Sequence, residues 1–399
     1  MSEPTSSHPH ISSWLAHVRA LAVDIGPRGP TCEGERQGAE YASHQFMKLG
    51  LEPVCESFQS ARSIFLPHLI GSVLMLAAFI VYPIGGKVTA ILAALLSILV
   101  LVSELQELGF QDNFYRRIIP KGTSQNVHAV IPPGGEHKQD LVLVGHLDSQ
   151  RTPFIFRSPT HVKVYDNLTT VIFITFFVQT LLYTLSIFFT WSWIWYATIP
   201  TAVCAILLAM ICIEADNTPF TAGANDNATA VGMVLTLVSY FRTHPLPHTR
   251  IWAVCTGCEE VQHYGMIDFY KRHRNELKDP KAIVFEMLGC AGPAWITREG
   301  IIVPFRPDVG LLNRVETLAS EHPEWGAYPA SISGGNSELA DAVRFKVPAI
   351  TLFGMTRDRV APYWHQKGDT FDKMDVDVME RTWALTTALI ERIDLTSAA

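Results

Sequence analysis

Four long apolar runs, nearly free of charge, constrain this 399-residue chain more than any other feature. A helix needs about 20 apolar residues to cross the hydrocarbon core of a bilayer. The runs therefore predict four transmembrane helices, which short turns at 85–87 and at Thr190 join into two hairpins. Each hairpin returns to the side from which it starts, so all polar segments lie on one side. The runs cover residues 66–84, 88–102, 168–189 and 191–213.

Aromatic and basic residues near the runs indicate how they lie in a bilayer. Trp191, Trp193, Trp195 and Tyr196 form a cluster typical of a membrane interface, which favours spans over the alternative of buried helices in a soluble core. Positive charge gathers on the side of the polar segments, against Lys87 in the opposite turns. We therefore expect a multi-pass membrane protein whose polar domain faces the cytoplasm. The basic residues concerned are Arg62, Arg116, Arg117, Lys121, Arg157 and Lys163.

The segments outside the runs have an ordinary composition and suit one large domain. We predict that residues 1–65, 106–167 and 214–399 form this domain, with hairpins 66–105 and 168–213 inserted into it. The chain has 31 Lys and Arg against 38 Asp and Glu, which excludes a basic protein that coats nucleic acid. Seven Cys without framework spacing predict a reducing compartment. We expect contact with a lipid bilayer and no nucleic-acid partner, and the sequence leaves the oligomeric state open.

Strands and helices alternate along the polar segments. This order predicts an α/β fold with a mostly parallel mixed sheet, covered by helices on both faces. Strands 126–131 and 140–144 are expected to be adjacent, joined by the turn 132–135. Further strands are predicted at 250–256, 282–285 and 347–353, and helices at 35–49, 228–242, 263–274, 310–319, 337–345 and 376–393.

Acids and imidazoles occur where several of these strands end or in the loops that follow. A single residue of this kind is more often structural, but the combination supplies two imidazoles and several carboxylates at one rim of the predicted sheet. Nitrogen and oxygen donors of this type are the ligands expected for zinc. The residues are His146, Asp148, Asp226, Glu259, Glu260, Glu286 and His365.

The order of these motifs resembles metallopeptidase family 28, which comprises di-zinc aminopeptidases and includes glutaminyl-cyclase and transferrin-receptor branches. The resemblance covers about 310 residues of polar sequence, while the apolar runs have no counterpart in the family's simple secreted members. The motifs are Gly145-His146-Leu147-Asp148-Ser149, Gly223-Ala224-Asn225-Asp226-Asn227, Cys258-Glu259-Glu260 and Trp364-His365-Gln366-Lys367-Gly368-Asp369-Thr370.

The resemblance implies a zinc-aminopeptidase fold with two zinc ions per chain. It implies that His146 and Glu286 bind one ion, and that Glu260 and His365 bind the other. Asp226 would bridge both, which gives each ion three protein ligands and leaves room for a shared water.

The resemblance also implies two catalytic roles. Asp148 would hydrogen-bond the imidazole of His146 and fix its tautomer. Glu259 would act as general base on the water that attacks the scissile carbonyl. His263, on the helix after the glutamate pair, is interpreted as a surface or packing residue.

Two positions depart from the family's pattern. Glu286 stands where the family usually has Asp, so the longer side chain must shift either the strand end or the metal. Trp364 stands where some members have a Tyr before the last histidine, and Tyr363 lies one position earlier, so no oxyanion role is assigned to it.

The function that follows from the resemblance is a membrane-anchored, zinc-dependent aminopeptidase. Its expected substrates are peptides near the membrane, since the second hairpin leaves the loop between Asp148 and Asp226. One alternative is acyl transfer of the glutaminyl-cyclase type, which uses one zinc. The other alternative is a non-catalytic binding module.

Overall fold

The computed structural model describes residues 3–189, 191–301 and 303–396. Its backbone contacts divide the chain into two compact units. The first, which we name the sheet unit, comprises the chain up to Arg62, residues Lys121–Arg151 and the chain from Phe220 onward. The second, the helical unit, comprises Ser63–Pro120 and Thr152–Pro219. The predicted turn at Thr190 lies outside the described residues.

One mixed sheet organises the sheet unit. The strands run in the order β1-β2-β4-β3-β5-β8-β6-β7. Strands β4, β3, β5 and β8 are neighbours and parallel, whereas β1 and β2 pair antiparallel and β6 pairs antiparallel with β8. In chain order the strands are β1 (Val54–Ala61), β2 (Lys121–Ile131), β3 (Gln139–His146), β4 (Thr249–Thr256), β5 (Lys281–Glu286), β6 (Ala294–Ile296), β7 (Tyr328–Ala330) and β8 (Ala349–Phe353).

Helices cover both faces of the sheet and also build the helical unit, which contains α3 to α8. The mixed α/β class that the sequence predicts is confirmed. In chain order the helices are α1 (Pro9–Arg19), α2 (Glu33–Lys48), α3 (Phe65–Val81), α4 (Lys87–Leu108), α5 (Phe114–Ile118), α6 (Pro159–Ser186), α7 (Ile194–Ala197), α8 (Ile199–Asp216), α9 (Thr229–Thr243), α10 (Tyr264–His273), α11 (Val309–Glu321), α12 (Leu339–Arg344) and α13 (Val376–Thr396).

The apolar side chains of β3 are buried on both faces of the sheet. Leu141 and Leu143 belong to the core that includes residues of α1, α9 and α13. Val142 and Val144 point to the opposite face and join the core that includes residues of α10 and α12. Alternate residues of a strand face opposite sides, so a continuous apolar run is what a strand between two helical layers requires.

The predicted adjacency of strands 126–131 and 140–144 is wrong, because β4 lies between β2 and β3. β2 pairs antiparallel with β4, and β3 pairs parallel with the other edge of β4. The intervening turn does not close a tight hairpin. Instead, the backbone N–H groups of Gly134 and Gly135 donate to the carbonyls of Leu246 and Pro247, which lead into β4.

Three strands are missing from the sequence-based prediction. β1 is largely polar and lies at the sheet edge with much of its surface exposed, so it lacks a clear apolar alternation. β6 and β7 are each only three residues long. Such strands give too weak a pattern to identify from sequence alone.

The helical unit contains four helices within the described residues that are long and apolar enough to cross a membrane. They are Phe65–Ile84, Lys87–Leu108, Pro159–Ser186 and Ile194–Asp216. Two of them exceed the apolar runs, since α4 continues past the predicted end at 102 and α6 begins before the predicted start at 168. Large apolar side chains such as Ile80, Leu95 and Met210 are exposed along these helices, as lipid-facing residues would be.

Small and polar residues fill the interior of the helical unit. α3 packs on α4 and α8, and α6 packs on the same two helices. Ala78, Ala93 and Ala94 are buried, and the side-chain amide of Gln179 donates to the carbonyl oxygen of Met75 at 3.1 Å. Small residues let membrane helices approach closely, and internal polar bonds join them.

Candidate metal centre

The sheet brings four of its strand ends to one rim. β3 ends at His146 and β5 at Glu286, while the loop after β4 carries Glu259 and Glu260. β8 leads toward the loop that contains His365. The four strands are parallel neighbours, so their carboxyl ends lie at the same edge, where ligands bind in sheets of this type.

The first group of side chains surrounds His146. Its Nε2 atom lies 3.5 Å from Asp226 Oδ1 and 3.6 Å from Glu286 Oε2. All three side chains are buried. The longer side chain of Glu286 therefore does reach the group, and Asn227 fixes it by donating from Nδ2 to Glu286 Oε2 at 2.9 Å.

The second group surrounds His365. Its Nε2 atom lies 3.4 Å from Asp226 Oδ2 and 3.1 Å from Glu260 Oε2. Asp226 thus offers one carboxylate oxygen to each imidazole. The peptide bond after Asp226 is cis.

These distances fit metal coordination. Two donors bonded to one tetrahedral zinc at about 2.0–2.1 Å lie roughly 3.3 Å apart. Each of the two groups could hold a metal ion. Among the described residues, the buried oxygens Asp226 Oδ2, Glu260 Oε1 and Glu286 Oε1 have no hydrogen-bond donor. An unsatisfied buried oxygen is costly, and a cation would satisfy all of them.

The pKa values of two carboxyl groups also favour a bound cation. Burial raises the pKa of Glu260 to about 8, although the imidazole of His365 acts to lower it. Burial likewise raises the pKa of Glu286 to about 7, against the effect of His146. Without a cation these carboxyl groups resist ionisation, whereas a bound divalent ion would favour their charged form.

Glu259 differs from the other acids. Burial acts to raise the pKa of its carboxyl group, but the imidazoles of His146 and His263 outweigh burial and hold the pKa at about 2. Its Oε2 atom lies 3.8 Å from His146 Nε2, so the carboxylate borders the centre. Glu259 is therefore an ionised base beside the two groups.

Asp148 lies beside His146 with both its backbone and its side chain. The nearer partner of His146 Nδ1 is the backbone carbonyl oxygen of Asp148 at 3.1 Å, while the carboxylate oxygen is 3.5 Å away. The carboxylate instead accepts the backbone N–H groups of Glu259 and Glu260, each at 3.0 Å. Asp148 thus links the first ligand loop to the glutamate pair.

His263 is not a surface residue, which corrects one of the two roles that the sequence left open. Its imidazole is buried, with Nε2 3.1 Å from Glu259 Oε1 and Nδ1 2.6 Å from Asp341 Oδ2. The sequence could not reveal this chain of contacts, because Asp341 lies 78 positions away on α12. The one signal in the sequence is the spacing of four residues between Glu259 and His263.

Two further acids hold the loops of the centre. The carboxylate of Asp369 accepts the backbone N–H groups of Asn225 and Asp226, at 2.6 and 3.0 Å. The carboxylate of Glu35 on α2 accepts the N–H of Cys258 at 2.7 Å. Asp369 lies inside the last motif, whereas nothing in the sequence around Glu35 signals its contact.

Arg28 joins the loop that follows His146 to the loop that precedes Asp226. Its buried guanidinium donates to the carbonyl oxygens of Leu147, Ala222 and Gly223, which border the ligand loops of His146 and Asp226. One cation thus joins two segments that are far apart in sequence through charge-assisted hydrogen bonds.

Left-handed backbone is concentrated beside the ligands. The φ angles are 54° at Cys258, 56° at His263, 55° at Met287 and 52° at His365. Side chains other than glycine rarely adopt this region, so the surrounding contacts must hold these residues in place. Such strain is typical of functional sites.

A known protein family matches the C-terminal part of the chain. The model of peptidase family M28 matches residues 213–390. This segment of the chain is similar to family M28 peptidases. This confirms the resemblance that the motifs indicate. A search of curated proteins finds no matching sequence.

Solved structures share the fold at low sequence identity. A zinc aminopeptidase from Bacillus subtilis has a TM-score of 0.57 and 12% identity, with 98% of this chain and 96% of that chain covered. The glutaminyl cyclase of Fimbriiglobus ruber has a TM-score of 0.56 and 14% identity, with 98% and 97% covered. A Zn-dependent exopeptidase from Parabacteroides distasonis has a TM-score of 0.53 and 11% identity, with 95% and 97% covered.

Proposed function

We propose that this chain is a membrane-anchored, zinc-dependent aminopeptidase with two zinc ions in its centre. The observation that carries the proposal is the division of Asp226 between two complete ligand groups. His146 and Glu286 complete one group, and Glu260 and His365 complete the other. Zinc suits these donors better than magnesium or calcium, because imidazole accompanies carboxylate in both groups.

The residues of the chain have distinct tasks in peptide hydrolysis. Zinc, when bound, supplies Lewis acidity and lowers the pKa of water in the centre. Glu259 takes the proton of the attacking water at Oε2, since His263 already occupies Oε1. The same carboxyl group then returns the proton to the amine that leaves. Asp148 keeps the glutamate pair in position through its two backbone contacts.

A cyclase of the glutaminyl type is the second candidate, because several structures with this fold are glutaminyl cyclases. Two full ligand groups favour hydrolysis, since the cyclase branch uses one zinc. A non-catalytic module is the least favoured reading, because each ligand position holds a competent donor.

The substitution Glu259→Gln tests the proposal. It keeps the size of the side chain but removes the base, so turnover of aminoacyl-p-nitroanilide substrates should fall by roughly 10²- to 10⁴-fold. Zinc content and thermal unfolding should match the unsubstituted protein. Glu316→Gln, at an exposed position of α11, is the control and should keep full turnover. Equal turnover in both variants would contradict the role of Glu259, and cyclisation of N-terminal glutamine without any hydrolysis would favour the second candidate.

His263 should act as a positioning residue for Glu259. His263→Ala removes the donor to Glu259 Oε1, so kcat should fall roughly tenfold or more while KM and zinc content stay constant. His263→Gln restores an N–H donor near the position of Nε2 and should recover part of the lost kcat. If His263→Gln is as slow as His263→Ala while both stay folded, the hydrogen bond has no role in the reaction.

We further propose that the peptidase domain faces the cytoplasm. The short connection at Gly85 and Gly86 carries Lys87 as its basic neighbour, whereas most flanking basic residues belong to the polar segments. The helices supply the length and apolar character of spans.

Protease digestion of sealed vesicles tests this orientation. One tag is inserted between Gly85 and Gly86, and another follows Ala399. In vesicles with the cytoplasmic face outward, protease should remove the tag after Ala399 and spare the other. The reverse pattern would contradict the proposed orientation, and loss of both tags would contradict the hairpins.

The substrates that we propose are peptides held at the membrane. The segment Thr152–Pro219 contains α6 to α8. In the sequence it begins four residues after Asp148 and ends seven residues before Asp226. A peptide with a lipid anchor should therefore be hydrolysed faster in vesicles that contain the protein than the same peptide without the anchor. Equal rates would mean that the helices only tether the enzyme.

A further inference from the structure

A second cluster of metal-binding side chains lies outside the centre described above. Glu56 on β1, His128 on β2 and His273 at the end of α10 bring their donor atoms together within 4.8 Å of one another. Glu56 Oε2 lies 2.8 Å from His273 Nε2 and 3.9 Å from His128 Nδ1. None of these residues belongs to the family motifs.

His128 is the unusual member of the cluster. Its side chain is 4% exposed, and among the described residues its Nδ1 atom has no hydrogen-bond partner. The ring is enclosed by Trp252, at 5.5 Å between centroids, and by Phe269, at 5.8 Å. A buried polar atom of this kind is costly unless something satisfies it.

The charge state of His128 suits a metal ligand. Burial, and then the neighbouring imidazole of His273, lower the pKa of His128 to about 4. An imidazole in its neutral form keeps one nitrogen lone pair for a cation. The carboxylate oxygen Oε2 of Glu56 lies 3.9 Å from Nδ1, and it would repel a lone pair on that nitrogen unless a cation lies between them.

The arrangement of the rings agrees with coordination to one ion. Two imidazoles on one tetrahedral zinc have ring centres roughly 5 Å apart, given Zn–N bonds of about 2.0–2.1 Å. The ring centroids of His128 and His273 are 4.9 Å apart, with the planes inclined at 67°. Glu56 Oε2 lies 2.8 Å from His273 Nε2 and 3.9 Å from His128 Nδ1. These distances lie on either side of the separation of roughly 3.3 Å that is expected between two ligand atoms of one zinc.

We propose that Glu56, His128 and His273 form a separate site for a divalent cation of the zinc type. Two imidazoles and one carboxylate favour zinc over magnesium or calcium. The side chain of Glu56 is 16% exposed, so the ion can enter from solvent and keep a water as its fourth ligand. The inference does not depend on the proposed aminopeptidase function.

Binding requires one rearrangement of protons. His273 Nε2 donates to Glu56 Oε2 in the metal-free arrangement, so this nitrogen must lose its proton to bind the ion. The proton moves to Nδ1 of the same ring, where Glu276 Oε2 lies 3.4 Å away as an acceptor. Arg272 lies 3.9 Å from the other oxygen of Glu56 and is held by Asp268, so Oε2 stays available to the ion.

The position of this site gives it a structural consequence. His128 pairs in register with Val254 of β4, the strand that leads to Glu259. His273 ends α10, the helix that begins directly after His263. An ion held here would therefore join α10, which follows the glutamate loop, to β2, the strand paired with β4.

Zinc stoichiometry of the full-length protein tests the site. Protein purified in detergent is stripped with a chelator, dialysed against buffered Zn²⁺ and measured by atomic emission. Glu56→Gln and His273→Asn should each bind one zinc per chain fewer than the unsubstituted protein. His322→Asn is the matched control, because His322 pairs with Glu324 at 2.9 Å but belongs to no three-residue ligand group among the described residues. Equal zinc content in all four proteins at saturation would overturn the proposal.

A measurement on the unsubstituted protein covers the case in which a variant fails to fold. Zinc-edge anomalous diffraction from crystals of the zinc-loaded protein should show a peak within bonding distance of Glu56 Oε2, His128 Nδ1 and His273 Nε2, and no peak beside the control residue His322. The absence of a peak between these three side chains at saturating zinc would also overturn the proposal.

Discussion

Burying several carboxylates within a few ångströms of one another is the constraint on which this structure depends. Asp226, Glu260 and Glu286 each present an oxygen without a hydrogen-bond donor, and burial raises the pKa values of the latter two. Mutual repulsion and lost hydration would disfavour this arrangement by itself. Divalent cations would offset both the repulsion and the lost hydration, so the stability of the folded sheet unit would depend on bound metal.

The scaffold serves to hold this repulsive group together. Parallel strands deliver the ligands to one rim, and buried groups behind them fix the loops. Arg28 joins the loops of His146 and Asp226, while Asp369 binds the backbone at Asp226. Precise placement of ligands by such surrounding contacts is what lets a metal centre keep its geometry during a reaction.

Much of the fold and of the metal centre could be predicted from the sequence. Apolar runs and buried parallel strands have strong composition signals, and the ligands lie in short motifs. The strand order β2-β4-β3 could not be predicted, because it depends on contacts of Gly134 and Gly135 with a segment more than 100 residues later. The same holds for His263, whose role depends on distant Asp341.

Zinc-edge anomalous diffraction from crystals of the zinc-loaded protein tests the central claim most directly. In the centre around Asp226, the account predicts two peaks roughly 3.5–4 Å apart, one beside each carboxylate oxygen of that residue. The peak near Asp226 Oδ1 should also contact His146 and Glu286, and the other should contact Glu260 and His365. Only one peak, or none, within bonding distance of Asp226 would contradict the account.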